Sequence, residues 1–502
     1  MATSAPNVLV ITSDEHNKFV LGCAGDPHVH TPNLDALAAR GTRFDAAYTN
    51  NPICMPARAT LATGRYGHRL GTVDNGSPYV GTEADSWGHR LGSQGFQVPT
   101  FGKLHFDPEG DSGYDARLPL QAKRGYGGAL LGWARGAAPA SDVLRRHVEA
   151  ADTGEFEYTP YDRYTAGSAS TWLVEEASRT TPWVAYVSFA YPHYPFRVPQ
   201  EYVAPLDPDA IPLPPHWRSP DWPDHHEIAF RRSQMGFAER PLSEAELRHA
   251  RWVYYGMVAF LDHQVGRVLE ALAGSGMADD TIVVYSSDHG DMLGDKGLFM
   301  KSVMYEGAAG VPLIVAGPGV PEGAVRSTPV SLADVYPTVV AAVGGELTEA
   351  DADLPGRSLL ALAAADDPDR AVFSEYHGPL SIGASYLIRR GPWKYVRYQD
   401  PKSEPQLFDL GADPHEGADL GTSPDREPIR ADLDAELRRI LDPDEVDERI
   451  RAQQTAALDA AGGLQPLIDA AKRTAAKGPY GTIRAGYTIP PSEILEMIGA
   501  RR

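Results

Sequence analysis

Cysteine is scarce in this chain. The chain also has neither a long apolar run nor an N-terminus that resembles a secretory leader. Its 502 residues include two cysteines, Cys23 and Cys54, too few for a disulfide framework or a cysteine-based zinc site. No stretch approaches the ~20 apolar residues that span a bilayer. The small, polar start, Met1 to Pro6, does not have the charged and apolar regions of a secretory signal. The sequence therefore predicts a cytoplasmic protein with no membrane segment.

Positive charge is also in short supply. Lysine and arginine number 46 against 67 aspartates and glutamates, which gives a formal net charge of -21. No run of Lys or Arg forms an obvious basic patch. Because an acidic surface repels polyanions, nucleic acids and long sulfated polysaccharides are poor partners. A small anionic ester drawn into a locally basic pocket is compatible with this charge.

What the chain does contain is a series of short apolar runs that end in polar residues. Runs of this length are typical of strands buried on both faces of a parallel sheet. They are Asn7–Thr12, Trp183–Phe189, Thr281–Ser286 and Val311–Val315. Helical patterns lie between them, so the sequence predicts an α/β fold with a doubly wound, mostly parallel sheet. Ligands of such sheets bind at the carboxyl ends of the strands, where Asp14, His193 and Asp288 lie.

The helical patterns can be bounded from the sequence. The predicted helices are Asn33–Arg40, Ser243–Leu272 and Leu332–Val343. In the first of them Leu34 and Leu37 share one side, and Gly41 fits a C-cap.

The pattern changes after about residue 365. Tyr386–Arg390 and Trp393–Tyr398 flank Gly391-Pro392 and predict an antiparallel hairpin. Gln406–Leu410 is a candidate for a further strand. We expect a catalytic α/β domain over residues 1–370, a smaller α+β subdomain over 371–440, and a helical and extended tail over 441–502.

The sharpest motif begins at Cys54. It reads Cys54-Met55-Pro56-Ala57-Arg58, with Thr63-Gly64-Arg65 after it, and it resembles the C-x-P-x-R signature of sulfatases with its trailing T-G-R. Other segments, between about residues 7 and 420, resemble that family in order and spacing. They are Asp14, Thr31-Pro32-Asn33-Leu34-Asp35, Gly102-Lys103-Leu104-His105, Pro192-His193-Tyr194-Pro195, Ser287-Asp288-His289-Gly290, Lys301, Gly391-Pro392-Trp393-Lys394-Tyr395 and Leu407-Phe408-Asp409-Leu410. The chain is identified on these motifs as a member of the sulfatase family, which implies an alkaline-phosphatase-like core.

The resemblance implies covalent catalysis. In the family a formylglycine-generating enzyme oxidises the motif cysteine, here Cys54, to formylglycine. One hydroxyl of the aldehyde hydrate attacks sulfur and the second expels the sulfate, so one hard step becomes two easier ones. The resemblance also implies one divalent cation, Ca²⁺ or Mn²⁺, held by Asp14, Glu15, Cys54, Asp288 and His289.

The other motif residues suit an anionic ester. Charge on the ester oxygens must be held in the transition state, and Lys103 and Lys301 supply positive charge. Arg58 lies four residues after the nucleophile, so a helix there would turn its guanidinium back towards the nucleophile and the metal carboxylates. His105 and His193 are acid/base candidates because imidazole titrates near neutrality. The resemblance implies that His105 takes the proton from the formylglycine hydroxyl, and that His193 contacts the transferred group and is a candidate to protonate the leaving oxygen.

The leaving-group alcohol is less well determined. Trp133 is a candidate for contact with it, and His68 and His377 are candidates for the border of the pocket. The expected reaction is hydrolysis of a small alkyl or aryl sulfate, choline sulfate among them, because the motifs look most like those of choline-sulfatase-type enzymes. The resemblance alone suggests a homodimer or homotetramer.

Two departures from the family pattern keep alternatives open. Position 15 is Glu where many sulfatases have Asp, and position 289 is His where many have Asn. Phosphonate and phosphodiester hydrolases of the same superfamily also carry His there, and a His ligand makes Mn²⁺ a rival of Ca²⁺. A phosphonate monoester or phosphodiester hydrolase is therefore one alternative. A non-catalytic anion-binding protein with unmodified Cys54 is the other.

Overall fold

A computed structural model describes residues 5–122, 131–137, 140–475 and 487–488 of the chain. The strands of these residues are β1 (Asn7–Ser13), β2 (Gly41–Phe44), β3 (Ala47–Tyr48), β4 (Pro99–Lys103), β5 (Asp115–Ala122), β6 (Asp152–Thr153), β7 (Val184–Ser188), β8 (Arg197–Val198), β9 (Thr281–Ser287), β10 (Leu313–Ala316), β11 (Ala324–Arg326), β12 (Val330–Ser331), β13 (Ala371–Tyr376), β14 (Ser385–Arg390), β15 (Trp393–Tyr398), β16 (Gln406–Asp409) and β17 (Tyr487–Thr488).

The α-helices of the described residues pack around these strands. They are α1 (Pro32–Ala39), α2 (Cys54–Thr63), α3 (Gly67–Leu70), α4 (Trp87–Gly92), α5 (Val143–Glu149), α6 (Tyr158–Glu175), α7 (Gln200–Val203), α8 (His226–Gln234), α9 (Glu244–Gly274), α10 (Glu306–Ala309), α11 (Val335–Ala342), α12 (Leu359–Ala364), α13 (Glu427–Ile440), α14 (Pro443–Ala460) and α15 (Leu464–Ala475). Within these ranges, no helix combines the length and apolarity that crossing a membrane requires.

A nine-stranded sheet forms the centre of the fold. Its order is β11-β2-β10-β9-β1-β7-β4-β5-β17. The pairings of β10 and β17 are antiparallel, and the other pairings in this sheet are parallel. Core clusters of buried apolar side chains lie on its two faces. This mostly parallel sheet with helices confirms the predicted α/β class.

All four predicted apolar runs form strands of this sheet, but one of these strands has the opposite direction to the one expected. β1, β7 and β9 are mutually parallel neighbours, so their carboxyl ends meet at one edge. The run Val311–Val315 becomes β10, which is antiparallel to β9. An apolar run indicates that a strand is buried on both faces, and every residue of β10 is buried. Burial does not fix strand direction, and the parallel prediction was wrong for this strand.

The predicted cap at Gly41 was also wrong. Helix α1 ends with Arg40 as its C-cap, at φ -92°, and Gly41 is the first residue of β2. A Cβ at position 41 would lie 2.2 Å from the carbonyl oxygen of Val315. Glycine is needed there because β2 and β10 approach closely. The long helix was predicted well, since Ser243 caps α9 and forms a capping box with Glu246.

The C-terminal part contains a separate four-stranded antiparallel sheet in the order β13-β14-β15-β16. The predicted hairpin is confirmed as β14 and β15, which turn at Gly391 with φ +55°. Of the predicted tail, α14, α15 and β17 lie within the described residues, and β17 pairs with β5. Residues 476–486 and 489–502 of that tail lie outside them. The boundaries at 370 and 440 stay a prediction.

Candidate active site

Two parallel strands bring a pair of carboxylates together. Ser13 of β1 lies opposite Ser287 of β9, and Asp14 and Asp288 follow these residues directly. Both aspartates are buried. The backbone N–H of Glu15 donates to Oδ1 of Asp288 at 3.2 Å, and Glu15 adopts a left-handed φ of +71°. The strand register thus places Asp14 and Asp288 close together, and the backbone of Glu15 is bonded to Asp288.

Cys54 is the first residue of α2, at the positive end of the helix dipole. Its Sγ lies 3.2 Å from Nε2 of His289 and 4.0 Å from Oδ1 of Asp14. Burial raises the pKa of the Cys54 thiol. Because the thiolate is the reactive form of cysteine, the unmodified residue is a poor nucleophile in this environment.

Arg58 joins the two strand ends to the helix. Its Nε donates to Oδ2 of Asp288 at 2.8 Å, and its Nη2 donates to Oδ2 of Asp14 at 2.9 Å. Its Nη1 donates to the carbonyl of Lys103 at 2.7 Å and to the hydroxyl of Ser188 at 2.8 Å. The guanidinium is buried, so all of these bonds form in a low-dielectric environment, where they are strong.

Two lysines each pair with a different carboxylate of the site. Lys103, the last residue of β4, has its Nζ 2.5 Å from Oδ2 of Asp14. Lys301 has its Nζ 2.9 Å from Oε2 of Glu15 and lies over the ring of Tyr194 at 5.1 Å. Burial raises the pKa of Asp14, but the positive charges of Lys103, His193, Arg58 and Lys301 together outweigh burial, so the pKa lies well below its usual value. The pKa of Glu15 is raised well above its usual value by burial, which Lys301 offsets only in part.

The two candidate acid/base histidines are buried. Nδ1 of His193 lies 2.6 Å from the carbonyl of Tyr194, and Nε2 lies 3.5 Å from Oε2 of Glu15. Burial lowers the pKa of both histidines. The charge of Lys301 lowers the pKa of His193 further, and the charge of Lys103 lowers the pKa of His105 further. A low pKa favours the neutral imidazole. The proton-transfer roles of both histidines stay predictions.

One group of side chains has the chemistry of a metal site. The ligand atoms of Asp14, Cys54, Asp288 and His289 lie within 4.8 Å of one another, and all four residues are buried. Nδ1 of His289 lies 3.0 Å from the carbonyl of Gly290. A carbonyl only accepts, so Nδ1 carries the proton and Nε2 presents its lone pair to the group. Carboxylate oxygens with one imidazole fit a divalent cation.

Glu15 belongs to a second group, which it forms with Asp14 and His193. Its Oε1 is buried and has no hydrogen-bond partner among the described residues. A buried carboxylate oxygen without a partner is costly, and coordination of a cation beside Asp14 would remove that cost. Asp14 is common to both groups, so Glu15 adjoins the first group through Asp14, and its role as a metal ligand stays a prediction.

The three residues proposed for the substrate pocket, Trp133, His68 and His377, lie in two places. Trp133 packs on the loop that follows α3, where a Cβ at Gly76 would lie 2.6 Å from its Nε1. Nδ1 of His68 and Nε2 of His377 bind opposite oxygens of the buried Glu375 carboxylate, at 3.0 and 2.9 Å. Both imidazoles thus bind one carboxylate of β13, and their contact with substrate stays a prediction.

Three residues at the site were not singled out from the sequence. Ser188 ends β7 and binds Arg58, and the strand-end rule that selected Asp14 could have found it. Tyr194 stacks on His193 at 4.1 Å between ring centroids and lies beneath Lys301. Asn75 accepts the backbone N–H of Met55 at 3.0 Å, and its place between Asp74 and Gly76 is a turn signal.

Two family models match the chain. Residues 6–345 match the model described as Sulfatase, and residues 294–442 match the model described as N-sulphoglucosamine sulphohydrolase, C-terminal. The first match covers all the motifs from Asp14 to Lys301, and the second includes the C-terminal antiparallel sheet.

Characterised relatives are similar over most of their length. A choline-sulfatase of Rhizobium meliloti is 32% identical over 446 residues, which cover 84% of this chain and 84% of the relative. Arylsulfatase K of Bos taurus is 30% identical over 469 residues, which cover 87% of this chain and 82% of the relative.

Solved structures share the fold. A phosphonate monoester hydrolase of Agrobacterium radiobacter is 26% identical, with a TM-score of 0.68 over 89% of this chain and 96% of that one. A protein in complex with its substrate D-glucosamine-2-N,6-O-disulfate has a TM-score of 0.70 and covers 88% of this chain and 100% of that one, at 22% identity. The latter likeness concerns the fold alone.

Proposed function

Since this chain belongs to the sulfatase family, we propose that it hydrolyses a small sulfate ester with a formylglycine nucleophile made from Cys54 and with one divalent cation. Hydrolysis of a sulfuric ester is the activity that the family match and the relatives support. The observation that carries the proposal is the convergence on Cys54 of Asp14, Asp288 and His289 within 4.8 Å.

Asp14, Cys54, Asp288 and His289, with Glu15 at the edge of the group, would hold the cation, Ca²⁺ or Mn²⁺. When bound, the cation supplies charge for the ester oxygens and lowers the pKa of a coordinated hydroxyl. Formylglycine supplies a hydrate with one hydroxyl for attack on sulfur and a second for release of sulfate. A formylglycine-generating enzyme is therefore the partner that we propose.

The side chains around Cys54 would orient the reacting groups and neutralise the charge of the transferred group. Lys103 and Lys301, which pair with Asp14 and Glu15, would hold the oxygens of the transferred group. Arg58 fixes the two aspartates. His105, as a neutral imidazole, would take the proton from the nucleophile's remaining hydroxyl when sulfate leaves. His193 would contact the transferred group.

The charge balance supports an anionic substrate. Three acidic and three basic side chains meet at the site, namely Asp14, Glu15, Asp288, Arg58, Lys103 and Lys301. They cancel formally, so a divalent cation adds net positive charge and draws in an anionic ester. We propose a small alkyl or aryl sulfate, with choline sulfate as a candidate because one relative is a choline-sulfatase.

A second candidate activity is phosphonate monoester or phosphodiester hydrolysis. His289 favours it, since it supplies the imidazole found in that branch of the superfamily, and a phosphonate monoester hydrolase shares the fold at 26% identity. The same nucleophile, cation and lysines would serve both reactions.

Mass spectrometry of the tryptic peptide that contains Cys54 tests the nucleophile. Protein made in the native host should carry the aldehyde at this position. An intact thiol in all molecules of active native protein would overturn the formylglycine proposal, and an intact thiol in inactive protein would favour an anion-binding role.

A further inference from the structure

Gln454 lies on α14, beyond the last residue of either family match, at 345 and 442. It is buried, with 4% of its surface exposed, although its neighbour Gln453 is exposed. A buried amide needs partners for both its donor and its acceptor groups. The partners of Gln454 come from three loops that are far apart in sequence.

Each loop makes one hydrogen bond with this amide. Oε1 of Gln454 accepts from Nε of Arg135 at 2.8 Å. Its Nε2 donates to Oδ2 of Asp74 at 2.7 Å and to the carbonyl of His377 at 2.8 Å. Asp447, two turns earlier on α14, accepts from Nη1 of Arg135 at 2.5 Å. The helix therefore fixes the loops that carry residues 74, 135 and 377 relative to one another.

One of these loops contacts the start of α2 beside the nucleophile, and a second loop packs on the first. The carboxylate of Asp74 accepts the N–H of Gly76 at 2.8 Å, which fixes the turn between them. Asn75, in that turn, accepts the N–H of Met55, the residue after Cys54. The indole of Trp133, two residues before Arg135, packs on Gly76. Asn75 therefore joins this turn to the start of α2, and Trp133, the candidate for contact with the leaving group, packs on the same turn.

We propose that Gln454 is a positioning residue for leaving-group specificity, which it sets by holding the Trp133 segment against the Asp74–Gly76 turn. This inference rests on the proposed function, since it assumes that an ester reacts at Cys54. Gln454 touches none of the residues around the nucleophile, so its loss should spare the transfer chemistry and alter the fit of the alcohol.

The test is the ratio of kcat/KM for p-nitrophenyl sulfate to kcat/KM for methylumbelliferyl sulfate. These esters share the transferred group and differ in the size of the alcohol. We expect Gln454→Ala to change the ratio about ten-fold, mainly through KM, and the matched exposed variant Gln453→Ala to leave it unchanged. In a Trp133→Ala background the effect of Gln454→Ala should largely disappear, because the two act through one contact.

Three results would overturn the inference: an unchanged ratio in Gln454→Ala, an equal fall for both esters, or a ratio change that persists without Trp133. If Gln454→Ala does not fold, Gln454→Glu serves instead. It keeps the acceptor for Arg135 and places a carboxylate against Asp74, so it should change the ratio as well. If the wild type cleaves only phosphonates, the proposed function fails, and the same ratio is then measured with the phenylphosphonate esters of the two alcohols.

Discussion

The sulfur of Cys54 lies 3.2 Å from Nε2 of His289, the nitrogen whose lone pair faces the carboxylates. This contact places an imidazole in the proposed cation site, where many sulfatases have an amide. We expect His289→Asn to weaken Mn²⁺ binding about ten-fold more than Ca²⁺ binding, because an amide oxygen is a harder ligand than imidazole nitrogen. The measurement is the rise in melting temperature when each ion is added to chelator-treated protein. Equal effects of the substitution on both ions would remove His289 from the ligand set.

Arg58 should matter for stability as well as for activity. Its guanidinium reaches Asp14 and Asp288 at once, and a lysine reaches only one of them. Leaving a buried carboxylate without its partner costs about 3 to 5 kcal/mol. We expect Arg58→Lys to lower the free energy of unfolding in urea by an amount of this order, whereas Arg439→Lys, at a side chain that is 67% exposed, should change it by less than about 0.5 kcal/mol. Equal, small effects of the two substitutions would contradict the bridging role.

Lys301 is expected to act on the reaction more than on the fold. Its ammonium contacts Glu15 and faces the site from the ring of Tyr194. Removal of one charge that stabilises a transition state costs about a hundred-fold or more in kcat. We expect this loss for Lys301→Ala in steady-state hydrolysis, and no loss for Lys402→Ala at an exposed position. A wild-type kcat in Lys301→Ala would exclude contact with the transferred group.

Asp162 of α6 gives a prediction about pH. Burial raises the pKa of Asp162 from 3.8 to about 7, although its carboxylate accepts the N–H groups of Ala190 and Tyr191 at 2.9 Å. Folding thus favours the protonated acid, so its contribution to stability is complete below the unfolded pKa and is lost as the pH rises through the folded pKa. We expect the unfolding free energy of the wild type, relative to Asp162→Asn, to fall by about 2 kcal/mol between about pH 5 and about pH 8. A constant difference would show that Asp162 is ionised throughout.

The sequence predicted the sheet and much of the site because both depend on local patterns. Apolar runs that end in acids located β1 and β9, and the Cys54 motif located α2. Parallel pairing then brings these ends together without further information. The direction of β10 could not be predicted in this way, because a strand buried on both faces has the same pattern in either direction.

The surroundings of the site depend on long-range contacts that no motif records. Gln454 stands next to Gln453 in a polar stretch, and only the packing of α14 separates the buried residue from the exposed one. Likewise, His68 and His377 were proposed for the pocket border, yet both bind Glu375, a partner that is distant from His68 in sequence. Gly41 was read as a helix cap because its close neighbour, β10, is remote in the chain.

The most direct test of the proposed function is kcat/KM for p-nitrophenyl sulfate and for p-nitrophenyl phenylphosphonate, measured side by side for the wild type and Cys54→Ala. We expect the wild type to prefer the sulfate and Cys54→Ala to cleave neither ester. A preference for the phosphonate would contradict the sulfatase assignment and make His289 the first residue to substitute. Full activity in Cys54→Ala would contradict the nucleophile itself.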